Sequence, residues 1–247
     1  MQAEASALPS STTKVELEGK TVYLVGTAHV SAQSVQDVRD TVAAVRPDTI
    51  AIELCEPRYQ GMVKKAAWQH TNLFQVIKQG KATFLLAQLA MQSFYRRLGK
   101  QLEVEPGAEM LAAATCAEET GARLELIDRR IDLTLKRVWR HLGFWQRLKL
   151  FSVMFQAMFS SEKIQGQDIE ALKKQDQLEA LMGEMGKAFP EIKKRLIDER
   201  DVYLAQKLRA APGGQIVAVV GAGHVPGMLK AIREPMSVAE LESLPPR

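Results

Sequence analysis

The sequence is poor in cysteine and in long apolar runs, and each shortage excludes a class of protein. Only two cysteines occur among 247 residues. These two, Cys55 and Cys116, form no Cys-x-x-Cys motif, which excludes a disulfide scaffold and a cysteine-rich zinc site. No stretch approaches the roughly 18 apolar residues of a membrane-spanning helix. With 33 Lys and Arg against 29 Asp and Glu, the mild basic excess permits an anionic partner without requiring one.

The two ends of the sequence differ from its middle, and we expect one folded domain between them. Residues 1–13 are small and polar, which predicts a flexible leader and not a signal peptide. Residues 14–235 are predicted to form a single domain. Residues 236–247 indicate the start of a linker to a membrane region that is absent from this sequence. We therefore expect a protein that is cytoplasmic, or associated with a membrane through that region.

Predicted strands and helices alternate along the sequence, which favours an α/β fold with a mostly parallel sheet and helices on both faces. β-branched, apolar segments predict strands at 20–25, 49–54, 123–127 and 215–220. Helical spacing of apolar residues predicts helices at 31–46, 107–122, 200–211 and 226–232. Two further helical stretches, at about 60–98 and 130–188, do not alternate with strands. We interpret them as insertions that form a lid-like layer at one end of the sheet.

Polar side chains follow the predicted strands at the points where ligands of open α/β sheets bind. They are His29, Glu53, Arg58, Asp128, Arg129 and His224. The two histidines each end a Gly-x-x-His turn after a strand. Two imidazoles and one carboxylate form a facial ligand set for a divalent metal, Mn, Co or Zn, which activates water for hydrolysis. The alternative is that these are hydrogen-bonded structural histidines and an ion-paired Glu53.

Two charged residues interrupt an apolar stripe in the helix before the last strand. The stripe comprises Ile192, Leu196, Leu204 and Leu208, and the charges are Glu199 and Arg200. One interpretation is a buried ion pair that fixes the helix, and the other is that both side chains point into the site. In the second case Glu199 is a candidate general base. Arg200, with Arg58 and Arg129, is then a candidate clamp for a carboxylate or an oxyanion.

Cys55 supplies a further hypothesis, that of a nucleophile with a histidine base. It lies on the same side of its predicted strand as Glu53. However, nothing in the sequence marks its thiolate as stabilised, and a free cysteine is more often a packing residue.

The motifs at these positions resemble the TraB/PrgY/GumN family, which includes TraB-domain proteins and is related to the Tiki Wnt proteases. The matching segments are VGTAHVS (25–31), PDTIAIELCEPR (47–58), the run from Glu109 through GARLELIDRRIDLTLKR (121–137), DERDVYLAQKL (198–208) and VAVVGAGHVPG (217–227). The resemblance implies a metal-dependent hydrolase fold with metalloprotease activity in Tiki-like members. It assigns central roles to His29, Glu53 and His224, and it implies a link to the shutdown of peptide pheromones and a membrane region after this domain.

The second helical insertion begins with a basic, aromatic segment. Residues 129–149 contain seven Lys or Arg and one acid, Asp132, together with Trp139, Phe144 and Trp145. Such a helix is able to lie on an anionic membrane surface, to cover the site, or to join copies of the chain in a homo-oligomer. The alternative is a solvated basic face with aromatics in the core. No nucleic-acid-binding motif accompanies the charge, so the partners we expect are a peptide substrate or ligand and no nucleic acid.

Overall fold

The computed structural model describes residues 8–28, 32–63, 107–146, 148–149, 152, 183, 186–187 and 189–244. In this part of the chain, five strands form one sheet: β1 Thr12–Leu17, β2 Lys20–Thr27, β3 Thr49–Ile52, β4 Arg123–Leu126 and β5 Gln215–Gly221. Their order across the sheet is β1-β2-β5-β3-β4. β2, β5, β3 and β4 run parallel to one another, and β1 is antiparallel to β2.

β1 was not predicted from the sequence. It pairs with β2 from Thr12 to Leu17, so it begins within the predicted leader. Of its side chains only Val15 is buried, while Lys14 and Glu16 are exposed. Charged residues on one face are typical of an edge strand, and they leave too weak an apolar pattern to predict a strand.

The structure gives the bounds of seven α-helices in the described residues. They are α1 Ala32–Val45, α2 Glu56–Val63, α3 Ala108–Thr120, α4 Ile131–His141, α5 Pro190–Lys193, α6 Glu199–Ala210 and α7 Val225–Ala231. A π-helical turn, Lys194–Asp198, joins α5 to α6, and a 3-10 turn, Ala222–His224, joins β5 to α7. A left-handed Gly121 ends α3, which is a common helix terminus because glycine adopts this conformation without strain.

The alternating side chains of β5 divide the apolar core into two layers. Ile216, Ala218 and Val220 face α6 and α7, and pack with Leu204, Leu208 and Met228. Val217 and Val219 face the other way and pack with Val38 and Val42 of α1 and with Met110 and Ala113 of α3. The predicted α/β fold, with a mostly parallel sheet and helices on both faces, is therefore confirmed.

The turn before β5 fixes the register of the parallel strands. Asp48, just before β3, accepts hydrogen bonds from the backbone N–H groups of Gly214 and Gln215, both at 2.8 Å. These two bonds lower the pKa of the Asp48 carboxyl. Gly213 has φ +99°, and a Cβ there would lie 2.7 Å from the Asp48 Cβ, so this turn requires glycine. Because β3 and β5 start together, their carboxyl ends also lie together.

Most of the predicted insertions lie outside the described residues. This applies to positions 64–98 of the first insertion and to most of 153–188 in the second. In the described part of the second insertion, α4 is a helix, as predicted. None of the helices that the structure describes is both long and apolar enough to cross a membrane.

Candidate functional site

Glu53 lies at the centre of the polar groups that collect at the strand ends. It follows β3 directly and is 5% exposed. Its backbone N–H donates to the Val219 carbonyl of β5 at 3.1 Å, and its Oε2 accepts the Gly221 N–H at 2.7 Å. The strand pairing therefore fixes the carboxylate beside the turn that follows β5. A charged residue in an almost wholly apolar segment is retained here because polar partners surround it.

His224 reaches Glu53 from the 3-10 turn after β5. Its Nε2 lies 3.3 Å from Glu53 Oε1, and its Nδ1 lies 2.5 Å from Asp201 Oδ1. Burial alone would lower the pKa of the imidazole, but the hydrogen bonds to Asp201 and Glu53 outweigh burial and raise it to about 9. The ring is therefore held between two carboxylates, with its orientation fixed through both nitrogens.

Arg200 joins Glu53 to a further carboxylate, Asp128. Its Nη2 donates to Glu53 Oε1 at 2.6 Å. Its Nε and Nη2 donate to the two Asp128 oxygens at 3.1 and 3.0 Å, which is a bidentate pair. Arg58 of α2 contacts the same Asp128 at 3.4 Å, and its side chain is 48% exposed. Glu53, Asp128, Arg200, Asp201, His224 and Arg58 form a continuous chain of contacts, which we call the strand-end network.

Asp201 was not among the predicted site residues, although it is as central as His224. It is buried in the first turn of α6, and α7 packs directly against it. An added Cβ at Gly227 would lie 1.8 Å from Asp201 Oδ2, so the side chain fits only against a glycine. The signal available in the sequence was an acid in the first turn of a helix, and such acids are common for reasons unrelated to function.

Glu199 has other partners than Arg200, its neighbour on α6. Of the two interpretations of these charges, a buried ion pair and entry into the site, the contacts of Glu199 favour the buried ion pair. Glu199 contacts three guanidiniums: Arg129 at 3.0 Å, Arg137 at 2.9 Å, and Arg195. Burial raises the pKa of Glu199, but hydrogen bonds from these arginines lower it to about 2. A carboxylate held in this way is too weak a base for a general-base role.

Arg129 also binds other partners and does not join the strand-end network, so its contacts do not support the predicted role with an oxyanion. It is 2% exposed, and its Nε donates to Thr134 Oγ1 at 3.0 Å. Burial lowers its pKa despite the bond to Glu199. We call Glu199, Arg129, Arg137 and Arg195 the arginine cluster. It is closed by the C-terminal segment 237–244, whose Leu241 and Glu240 carbonyls accept from Arg129 and Arg137.

The roles predicted for His29 and Cys55 remain predictions. His29 lies outside the described residues, although β2, which precedes it, ends at Thr27 beside Gly221 of β5. Cys55 is a buried free thiol and its carbonyl accepts the N–H groups of Arg58 and Tyr59 at the start of α2. The nucleophile hypothesis gains no support from this arrangement.

The donor chemistry of the strand-end network fits a divalent metal in part. His224 places Nε2 beside Glu53 Oε1, where it would bind a metal on giving up its proton, and Asp201 holds Nδ1 as outer carboxylates do in carboxylate–histidine–metal triads. Arg200 also donates to Glu53 Oε1, the oxygen that lies nearest to His224. If the guanidinium moved off that oxygen, Arg200 would keep its bidentate pair with Asp128. Within the described ranges, which omit His29, no group of three or more His, Cys, Asp or Glu is placed to hold a metal ion.

Where open α/β sheets bind ligands, they do so at the carboxyl ends of the parallel strands, which is the edge where the strand-end network lies. The model of the TraB/PrgY/gumN family matches residues 11–234, and the chain belongs to that family. It is 32% identical to a TraB domain-containing protein of Mus musculus, over 98% of this chain and 71% of the mouse protein. The human TraB domain-containing protein is also 32% identical, over 97% and 70%. An uncharacterized Methanocaldococcus jannaschii protein is 31% identical, over 86% and 53%.

Proposed function

We propose that this protein is a metal-dependent hydrolase that acts on peptides, with His29, Glu53 and His224 as the metal ligands. The observation that carries the proposal is the 3.3 Å separation of His224 Nε2 and Glu53 Oε1. Two donors this close would be able to hold one ion between them. A divalent ion held there would supply activation of water near neutral pH and polarisation of the scissile carbonyl.

The chain's own residues would position these ligands. Asp201 holds His224 Nδ1 and thereby directs Nε2 towards Glu53. The Gly221 N–H holds the second carboxylate oxygen of Glu53. Glu53 and His224 thus each have a buried partner that keeps the side chain in place before the substrate arrives, which is the preorganisation that a catalytic site requires.

Arg58 and Arg200 supply positive charge for the substrate. Asp128 holds both guanidiniums, and Arg58 extends to the surface. A guanidinium at the edge of a buried charged site is suited to bind a peptide carboxylate or to stabilise an oxyanion. We assign these two roles to Arg58 and Arg200 and withdraw them from Arg129.

The test is metal analysis and peptide turnover on the purified 247-residue chain. The protein is stripped with chelator, reloaded with Mn²⁺, Co²⁺ or Zn²⁺, and incubated with a mixed peptide library that is read by mass spectrometry. His29→Ala and His224→Ala should each abolish metal retention and cleavage. His141→Ala is the matched control, because that ring bonds to the Arg137 carbonyl of its own helix and should behave as wild type. Unchanged metal content and turnover in both test variants would refute the proposal.

A second candidate function is peptide or ligand binding without catalysis, as part of a membrane-associated regulatory protein. The observation in its favour is that Arg200 already bonds to both Glu53 and Asp128, so the network is paired as it stands. Saturable peptide binding, with no cleavage under any of the three metals, would select this function over hydrolysis.

A further inference from the structure

We propose that α4 and the aromatic segment that follows it form a docking surface for an anionic membrane. The inference starts from how α4 packs. Thr134, Arg137 and Val138 are buried on one side of the helix. Ile131, Leu135 and Trp139 recur at four-residue spacing on another side, and all three are exposed. An apolar stripe of a helix ordinarily faces the core, whereas these three side chains each keep more than 40% of their surface exposed.

The exposed stripe continues past the end of α4. Phe144 and Trp145 are 73% and 76% exposed, and their rings meet edge to face with centroids 5.5 Å apart. Leu148 is also exposed. Six of the ten large apolar side chains that are exposed in the described residues fall between positions 131 and 148. Concentration in one short segment distinguishes this surface from the scattered exposed apolar residues of an ordinary protein.

The charges beside the stripe select an anionic lipid surface as the occupant. Arg130 and Lys136 have exposed side chains, and Lys149 is exposed in the segment that follows. Asp132 bonds to Arg130 and Lys136 and is the only acid between positions 129 and 149. Basic residues beside Trp, Phe and Leu are the composition of helices that lie in a membrane interface, where tryptophan is enriched.

The buried side of α4 shows why substitutions in the docking surface should leave the fold intact. Arg137 is held by Glu199 through Nε at 2.9 Å and Nη2 at 3.0 Å, and Thr134 Oγ1 accepts from Arg129. These contacts anchor the helix through residues that the docking surface does not use. Phe144 and Trp145 are therefore suitable for substitution.

The experiment is co-sedimentation of the full chain with vesicles of phosphatidylcholine alone or with about 30 mol % phosphatidylserine. Wild-type protein should bind only the anionic vesicles, and binding should weaken as salt rises. The double substitution Phe144→Ala and Trp145→Ala should reduce binding by about tenfold or more. Lys136→Glu should reduce binding to the anionic vesicles by about tenfold.

Two matched controls change the same kinds of side chain outside the docking surface. Met236→Ala removes an exposed apolar side chain, and Lys14→Glu reverses an exposed charge on β1; both should bind as wild type. Absence of wild-type binding to anionic vesicles would overturn the proposal, as would binding that the variants on α4 do not change. If wild-type protein is instead a dimer by sedimentation velocity, and the aromatic double variant is a monomer with no vesicle effect, the surface joins two copies and the membrane assignment fails.

Discussion

The strand-end network and the arginine cluster are built from the same kinds of residue but differ in what surrounds them. Glu199 and Arg200 are adjacent on α6, yet Glu199 belongs to the cluster and Arg200 to the network. In the cluster, one carboxylate receives three guanidiniums beneath the C-terminal segment. In the network, carboxylates alternate with cations, and Arg58 reaches solvent. The comparison predicts that the cluster stabilises the fold, whereas the network has one member, Arg58, that solvent reaches.

The largest effect should come from breaking the cluster. Glu199→Gln removes the carboxylate that compensates buried Arg129 and Arg137, and unpaired buried charges are costly. We expect the free energy of unfolding to fall by about 3–5 kcal/mol, measured by urea denaturation. Asp198→Asn, which removes a half-exposed partner of Lys193, is the control and should cost about 1 kcal/mol or less. Equal effects of the two substitutions would contradict a stabilising role for the cluster.

Acid titration should test whether the negative charge of Glu199 stabilises the fold. The pKa of Glu199 is lowered from 4.5 to about 2 in the folded protein. A lowered folded pKa means that its stabilisation is present above about pH 4.5 and is lost as pH falls towards 2. The difference in unfolding free energy between wild type and Glu199→Gln should therefore shrink over this interval, by about 3 kcal/mol. A difference that stays constant with pH would show that the charge of Glu199 is not what stabilises the fold.

Gly227→Ala should disturb the network through Asp201. The added Cβ would lie 1.8 Å from Asp201 Oδ2, so the carboxylate or α7 must move, at a cost of about 1–3 kcal/mol. Gly61→Ala in α2 is the control, because a Cβ there meets nothing within 4 Å and alanine favours a helix. We expect Gly227→Ala to lose peptide turnover and melt earlier in a thermal scan. Turnover at the wild-type level would show that Asp201 does not position His224.

The smallest effect on stability should come from Arg58. Its side chain is 48% exposed and its contact with Asp128 is 3.4 Å long, so Arg58→Gln should cost less than about 1 kcal/mol. If Arg58 binds substrate, the same variant should raise KM for peptides while the melting temperature stays near that of wild type. Unchanged kinetics would remove Arg58 from the substrate-binding role.

The sequence was sufficient to predict the four parallel strands of the sheet, because apolar β-branched runs and glycine turns identify them. Placing Glu53 and His224 at neighbouring strand ends followed from the same rule. The sequence could not predict the different partners of Glu199 and Arg200, because it shows only that both residues interrupt the apolar stripe of their helix. Their directions depend on Asp128 and on Arg137, which lie far away in the sequence.

Nothing in the sequence predicted that the C-terminal segment 237–244 covers the arginine cluster. Residues 240 and 241 accept hydrogen bonds through backbone carbonyls, and a carbonyl is present at every position of a chain. The tail, predicted as a linker, therefore contributes to the fold in a way that residue type does not reveal. Asp201 was missed for a related reason, since only the packing of Gly227 shows that its carboxylate is confined.

The most direct test of the account is anomalous diffraction from crystals soaked in Mn²⁺. The account predicts one strong peak between His224 Nε2 and the Glu53 carboxylate, with Asp201 still bonded to Nδ1 and Arg200 still paired with Asp128. The peak should disappear in crystals of His224→Ala. A soaked crystal without a peak at these residues, in which Arg200 remains on Glu53, would contradict the metal site and leave the network as a set of ion pairs.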